Sequence, residues 1–229
     1  MDFFEAVKAR RSVRTYTDKA VPEEVIQKAL DAALLAPNSS NMQTWGFYWV
    51  KSAEKKEALV KACLSQSAAR TAQELVVIVA EPSLWRRNQK EMLRTLNENA
   101  GPKFALDYYG KLIPFLYGFQ FLAPLKWLMF NGMGIFRPMA RRPWSPRDNA
   151  EVSIKSAALA SENFMLAISA QGFATCPMEG FDEVRVKRIL KLKRSSRVVM
   201  VVSVGEANAE KGIWGPQLRF HREWFVHEV

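Results

Sequence analysis

The chain has 229 residues, of which 48% are hydrophobic and 24% are charged, so it can bury a full core and is not expected to be disordered. Its formal net charge of +10 favours an anionic ligand or surface. Only two histidines and two widely separated cysteines are present, which argues against a zinc site or a Ser-His-Asp triad. We expect a single domain over residues 1–229 with no metal ligands.

The pattern of apolar residues alternates between helical and strand spacing along the chain. It predicts five helices. These are a first helix capped by Asp2 and Glu5, and helices over 22–36, 53–64, 154–170 and 182–190. Branched and aromatic runs predict four strands, at 45–50, 75–80, a short stretch ending at Cys176, and 197–205. The result is an α+β layer structure in which helices cover a sheet.

A cluster of basic residues follows the first predicted helix. Arg10, Arg11 and Arg14 place three guanidinium groups within five residues, beside the hydroxyl of Ser12. Such like charges repel one another unless a dianion lies among them, and a phosphate monoester is the natural ligand. The alternative is a solvated cluster that favours the helix dipole.

A polar, turn-prone segment separates the second helix from the first strand. It reads Ala-Pro-Asn-Ser-Ser-Asn-Met-Gln-Thr-Trp over 36–45. The amides of Asn41 and Gln43 can donate and accept at once, as the edge of a planar heterocycle requires. The same residues are also ordinary turn chemistry. No glycine-rich Gly-x-Gly-x-x-Gly or Walker sequence is present, so the common nucleotide loops are disfavoured.

Three motifs in this order resemble those of the nitroreductase-like flavoproteins. They are Arg-Arg-Ser-x-Arg at 10–14, the segment 36–45, and Gly-Phe-Ala-Thr-Cys-Pro-Met-Glu-Gly-Phe-Asp at 172–182. The resemblance covers residues 1–80 and 150–229, whereas the middle follows it poorly. It implies a nitroreductase-like three-layer α+β fold, a sheet covered by helices, in an obligate homodimer with an enlarged apolar middle segment.

The function that this resemblance implies is an FMN-dependent oxidoreductase. Hydride would pass from NADH or NADPH through the flavin to a small aromatic, quinone-like or nitro acceptor. Position and electrostatics supply the rate in such a reaction, so we expect no catalytic acid or base. The alternative is a flavin-binding carrier or sensor with little turnover, because the motifs specify a cofactor and not a rate.

The resemblance also implies the cofactor-binding residues. Its phosphate and ribityl contacts are Arg10, Arg11, Ser12, Arg14 and Arg219. The contacts expected from the other subunit are Pro37, Asn38, Ser39 and Asn41, and Gln43 is expected to bind the edge of the flavin ring. A turn formed by Pro177, Met178, Glu179 and Gly180 is expected along the isoalloxazine ring, with a backbone N–H near position 180 at the flavin N5.

Two positions depart from the family pattern, and one cysteine invites a separate explanation. Thr44 replaces the usual proline, so we expect a looser turn there. Gln217 replaces a second basic residue, which places more weight on Arg219. Cys176 ends a buried strand, and we expect it to be structural rather than reactive.

The middle of the chain, about 85–148, carries 11 Lys or Arg against 4 Asp or Glu and contains a long apolar stretch at 112–136. We expect a helical lid or a dimer excursion. One alternative is an amphipathic surface that makes peripheral contact with lipid. A membrane span is the least favoured, since Lys126 and two prolines interrupt the stretch.

The excess of basic residues raises the question of nucleic-acid binding. We expect no specific nucleic-acid partner, because basic residues alternate with apolar runs and no recognised module is visible.

The cysteines and the first residues indicate the cellular location. The separated cysteines fit a reducing compartment, and Met1–Glu5 lacks the features of a signal peptide. The sequence therefore predicts a cytoplasmic protein, with membrane-surface association as an alternative.

Overall fold

A computed structural model describes all residues from Met1 to Val229. The helices are α1 Phe3–Ala9, α2 Glu23–Leu34, α3 Ala53–Ala62, α4 Ser67–Arg70, α5 Trp85–Glu98, α6 Lys103–Asp107, α7 Ile113–Tyr117, α8 Ala123–Phe136, α9 Pro146–Ala170 and α10 Glu183–Leu190. The strands are β1 Trp45–Trp49, β2 Glu74–Ala80, β3 Ala174–Met178 and β4 Arg197–Gly205. The predicted capping pair is confirmed, because Asp2 and Glu5 form a capping box on α1.

The four strands form one antiparallel sheet in the order β1-β2-β4-β3. The central strand β2 is buried from Leu75 to Ala80, which explains its unbroken apolar sequence. On one face the core includes Ile26 of α2 and Phe164 of α9. On the other face it includes Leu59 of α3 and Val186 of α10. The predicted α+β sheet covered by helices is confirmed.

Helix α9 begins at Pro146, so the predicted start at Ile154 is wrong. Ser145 caps the helix in a reciprocal pair with Asp148. Its first turns are rich in buried polar residues, which hide the apolar spacing on which the prediction depended. The buried hydroxyl of Ser153, for example, is satisfied because it donates to the carbonyl oxygen of Asn149 at 2.9 Å.

Strand β3 continues through Pro177 and Met178, so the turn predicted to start at Pro177 begins at Glu179 instead. Pro177 and Met178 pair with Val202 and Val201 of β4. A proline is tolerated because β3 is an edge strand of the sheet.

The middle of the chain, from Trp85 to Phe136, is mostly helical, with breaks at 99–102 and 118–119 and a wider π turn at Tyr108–Leu112. Helices α7 and α8 lie on either side of a sharp break near Gly118. No single helix is long and apolar enough to cross a membrane, whereas the bent pair Lys103–Tyr117 and Gln120–Phe136, at 64°, passes that test by length and composition. The assignment of this region as a lid or dimer excursion stays a prediction.

Candidate functional site

The arginine segment runs as an extended chain beside the end of the sheet. Ser12 forms a parallel bridge with Thr175, and the Val13 N–H donates to the Thr175 carbonyl oxygen at 3.0 Å. Val13 is buried in the core. Successive side chains of an extended segment point to opposite sides, so Ser12 and Arg14 face away from that core.

The segment that follows β4 closes over the arginines. The Arg14 N–H donates to the carbonyl oxygen of Gly212 at 2.7 Å, and the Asn208 N–H donates to that of Thr15 at 3.0 Å. The fit at Gly212 is tight, since a Cβ there would lie 2.4 Å from the Asn208 carbonyl oxygen and 3.1 Å from that of Thr15. Only glycine allows this approach of the two backbones.

A basic cleft of about 270 Å³ lies between these two segments. Its basic and polar lining is Arg10, Arg11, Ser12, Arg14, Gln217 and Arg219. The structure thus brings together all five residues that the sequence analysis assigned to a phosphate contact, across more than 200 positions of chain.

Most of the positive charge in this cleft lacks a carboxylate partner. Arg10 Nε is 3.7 Å from Glu162 Oε1, the only ion pair formed by these arginines. Arg11 Nη2 donates to the Gly215 carbonyl oxygen at 2.9 Å, and the Arg14 guanidinium lies 5.6 Å from the centre of the Trp214 ring. Four guanidinium groups beside a hydroxyl suit a dianionic group such as a phosphate monoester.

The segment from Pro37 to Gln43, called the amide segment, is held in an unusual backbone conformation. Ser40, Asn41 and Gln43 have φ values of 55°, 51° and 44°, in the left-handed region that non-glycine residues rarely adopt. Asn38 Oδ1 accepts the Gln43 N–H at 2.8 Å, and Gln43 Nε2 donates to Asn41 Oδ1 at 3.3 Å. Pro37, Ser39, Asn41 and Gln43 are exposed and Asn38 is half-buried.

The turn at Thr44 is anchored rather than loose, so the expectation of a looser turn is wrong. Thr44 is buried, and its hydroxyl donates to Ser153 Oγ on α9 at 2.9 Å. A proline could not make this bond. The polar residues at the start of α9 therefore hold the amide segment against the core.

Replacing Thr44 with valine is expected to lower the free energy of unfolding by about 1 kcal/mol, because the isosteric side chain removes one buried hydrogen bond. Urea titration followed by circular dichroism measures the loss. The matched control is Thr95→Val on α5, where the side chain is exposed. Equal stability of both variants would show that the Thr44 bond contributes nothing.

Asn41 and Gln43 line a separate cleft of about 740 Å³, together with Trp45, Phe47 and Asn88 among others. Within one chain, then, the basic cleft and the amide segment do not share a cavity. The arginines and the Pro37–Asn41 segment are expected to meet one cofactor from different subunits, an arrangement that one chain does not test.

The middle helices hold the amide segment through contacts that the sequence analysis missed. Asn88 Nδ2 on α5 donates to the Met42 carbonyl oxygen at 2.6 Å. The hydroxyls of Tyr108 and Ser40 are hydrogen-bonded at 2.7 Å, and the Tyr109 hydroxyl donates to the Ser40 carbonyl oxygen at 3.1 Å. No spacing marks these partners, which lie more than 40 residues from the segment.

The model of the nitroreductase family matches residues 7–206. The chain belongs to the nitroreductase family. DrgA of Synechocystis is 27% identical over 207 residues, which cover 90% of this chain and 84% of that protein. A Thermus thermophilus protein named NADH dehydrogenase is 28% identical over 224 residues, with 97% and 94% covered.

The fold is also that of solved nitroreductase-family proteins. A nitroreductase-like protein of Exiguobacterium sibiricum, solved in complex with FMN, superposes with a TM-score of 0.73 at 22% identity, covering 100% of this chain and 98% of that one. At this identity the likeness establishes the fold alone.

In this nitroreductase-family chain the turn after β3 presents backbone groups to solvent. Glu179 and Gly180 are exposed, and the Gly180 carbonyl oxygen accepts from Gln66 Nε2 at 2.6 Å. The Gly180 N–H donates to no group within the chain. Met178, by contrast, packs in the core, so its side chain is not available to a ligand and only its backbone lies near the turn.

Neither cysteine is poised for thiol chemistry. Both are fully buried and unpaired. Burial raises the pKa of the Cys63 thiol to about 12 and also raises the pKa of the Cys176 thiol above its usual range. The thiolate is the reactive form, so these positions suit packing rather than catalysis.

Proposed function

We propose that the protein is an FMN-dependent oxidoreductase that takes hydride from NADH or NADPH and reduces a small aromatic, quinone-like or nitro acceptor. The observation that carries this proposal is the basic cleft, in which four guanidinium groups and the Ser12 hydroxyl converge. Membership of the nitroreductase family supports it, as does the FMN complex of the Exiguobacterium protein.

The donor set of the cleft fits the terminal phosphate of FMN. Arg14 and Arg219 have no carboxylate partner, so a dianion would meet charge that the chain leaves unneutralised. The Ser12 hydroxyl adds a donor beside them. Gln217 can donate an amide hydrogen bond but carries no charge, which leaves Arg219 as the one cation from this late segment.

Once bound, FMN would accept a hydride equivalent from the nicotinamide and return two electrons to the acceptor. The residues of the chain would bind the cofactor and orient it. The N–H of Gly180 is free to donate to a ring nitrogen, and exposed Glu179 stands beside it. No side chain is assigned as a general acid or base.

The proposal includes a homodimer in which the Pro37–Gln43 segment meets the cofactor of the other subunit. The amide groups of Asn41 and Gln43 face a cleft separate from the basic one, as this arrangement requires. The carboxyl-terminal tail supports it too. Its exposed apolar residues are Ile213, Trp214, Leu218, Phe220, Trp224, Phe225 and Val226, a surface that a second chain would cover.

The alternative function is a flavin carrier or sensor with little turnover, and anaerobic reduction separates the two. We expect the visible flavin band of the purified protein to bleach when NADH or NADPH is added, much faster than free FMN mixed with the same nucleotide. Absorbance spectra recorded without oxygen measure the rate. A flavin that stays oxidised with both nucleotides would contradict the enzyme and favour the carrier.

We further propose a cytoplasmic location, because the two cysteines are unpaired and buried, as is usual in a reducing compartment. The acceptor is proposed only as a class. Bound FMN would supply a planar ring on which electron-poor molecules could stack, and no charged group assigned above would select among them.

A further inference from the structure

Helix α8 carries its one charged residue inside and most of its large apolar residues outside. Lys126 is only 2% exposed, whereas Leu128, Ile135 and Phe136 are 64%, 78% and 88% exposed. A helix on the surface of a protein in water normally shows the opposite arrangement. The outer surface of α8 is therefore suited to an apolar environment.

Five of the outward apolar residues form one stripe along the helix, and exposed Trp127 lies outside it. Relative to Leu125, the exposed Leu128, Met129, Ile135 and Phe136 stand at i+3, i+4, i+10 and i+11, positions that share one face of an α-helix. This set is called the α8 stripe. Two exposed aromatic residues precede it, Phe119 and Phe121.

The rotation of α8 about its axis is fixed by contacts on its inner side. Lys126 Nζ donates to the carbonyl oxygens of Phe115 and, at 2.7 Å, Gly118, which end helix α7. Burial without a carboxylate lowers the pKa of Lys126. Phe130 stacks on Trp144 with ring centres 4.0 Å apart. Turning the stripe inward would break both contacts.

The charge around the stripe is predominantly positive. Residues 108–147 contain six Lys or Arg and no Asp or Glu, although Lys111 pairs with Asp107, and Arg142 with Asp148 and Glu151. At the carboxyl end of α8, Arg137 and Arg141 are exposed and make no ion pair. Arg141 is nonetheless held in place, since it donates to Asn131 Oδ1 at 2.7 Å and to the Gly134 carbonyl oxygen at 2.9 Å.

We propose that the α8 stripe is a docking surface for an anionic lipid bilayer. The helix would lie in the plane of the interface, with the stripe at the boundary between headgroups and acyl chains and with Arg137 and Arg141 at the level of the lipid phosphates. Apolar burial and attraction of basic residues to anionic lipids together produce this kind of reversible binding.

Two other occupants fit the observations less well. A span is disfavoured because α8 alone has 14 residues, about 21 Å of helix against roughly 30 Å of hydrocarbon. The longer pair with Lys103–Tyr117 is bent by 64° at its break. A second copy packed on the same face about a two-fold axis would bring together two pairs of arginines, Arg137 and Arg141, that have no carboxylate partner. An anionic lipid bilayer fits both features, because its headgroups can bind the arginines and its acyl chains can bury the apolar stripe.

Vesicle flotation of the full-length protein tests the proposal. We expect it to float with phosphatidylglycerol and phosphatidylcholine vesicles at low salt, and to float less with pure phosphatidylcholine or at high salt, where charge attraction is screened. Leu128→Ser with Ile135→Ser should weaken binding at least roughly tenfold. Arg137→Ala with Arg141→Ala should weaken it roughly fivefold per arginine, and only on anionic vesicles.

Matched variants elsewhere on the surface serve as controls. Leu64→Ser with Val184→Ser removes exposed apolar residues, and Arg185→Ala with Arg188→Ala removes exposed basic residues of α10. Both should float like the wild type. The proposal would be overturned if the wild type failed to float with anionic vesicles at both low and high salt. It would also be overturned if Leu128→Ser with Ile135→Ser floated as well as the wild type.

A change in oligomeric state of the double serine variant, with no vesicle binding by the wild type, would assign the stripe to a second copy instead. Capture of an acidic protein without vesicle binding would assign it to that partner. Flavin absorbance of the floated fraction is recorded separately, because lipid docking does not require the proposed oxidoreductase activity.

Discussion

Arg14→Ala combined with Arg219→Ala is expected to abolish retention of FMN during purification while the protein stays folded. These two side chains lack carboxylate partners in the basic cleft and come from opposite ends of the chain. A hydrogen bond to a charged group contributes about 1.5–3 kcal/mol, so losing two should weaken FMN binding by roughly 100-fold to 10,000-fold. Fluorescence titration of the apoprotein with FMN measures the change in Kd.

The control for this variant removes two positive charges from another surface. Arg185→Ala with Arg188→Ala on α10 lowers the net charge equally but leaves the cleft intact. It should bind FMN as the wild type does. If both double variants lose FMN to the same degree, net charge alone explains the effect, and the phosphate assignment of the cleft fails.

Gly212→Ala is the single substitution expected to disturb the cleft most through the backbone. The new Cβ would lie 2.4 Å from the Asn208 carbonyl oxygen and 3.1 Å from that of Thr15, and a backbone atom cannot turn aside as a flexible side chain can. The 208–214 segment must move away from Arg14. We expect a loss of about 1–3 kcal/mol in the free energy of unfolding, as for other overpacked sites, and weaker FMN binding.

Urea titration and FMN titration measure the two effects of Gly212→Ala. The control is Gly110→Ala, because a Cβ at Gly110 meets no atom within 4 Å. That variant should be at least as stable as the wild type, because alanine favours a helical backbone over glycine, and it should bind FMN equally. Wild-type FMN affinity in Gly212→Ala would contradict the role of this close backbone approach in shaping the cleft.

The sequence predicted the elements of the sheet and its covering helices because their apolar residues follow regular spacings. The strand at 197–205 and the helix beginning after Asp182 match the structure. The start of α9 was missed because its first turns bury serine and asparagine, whose hydroxyls and amides are satisfied inside the fold. Apolar spacing gives no information on such residues.

The basic side of the candidate site was accessible from sequence because like charges in a short segment imply a ligand. The supports of the amide segment were not. Thr44, Asn88 and Tyr108 act through one or two hydrogen bonds to residues remote in the chain, and each is an ordinary polar residue in its own neighbourhood. Their roles depend on the packing of α5, α9 and the π turn, which no local pattern specifies.

The hydrogen bonds from Asn88 and Tyr108 to the amide segment also limit how this protein can be recombined with its relatives. Residues 85–136 are the region expected from sequence to follow the family pattern least well, and they would be the obvious block to exchange in a chimera. Three residues of the 38–43 segment hold left-handed backbone angles next to those bonds. A chimera that exchanges the middle helices should therefore exchange residues 37–44 as well. The two segments hold each other through these hydrogen bonds, so each needs its native partner to keep its conformation.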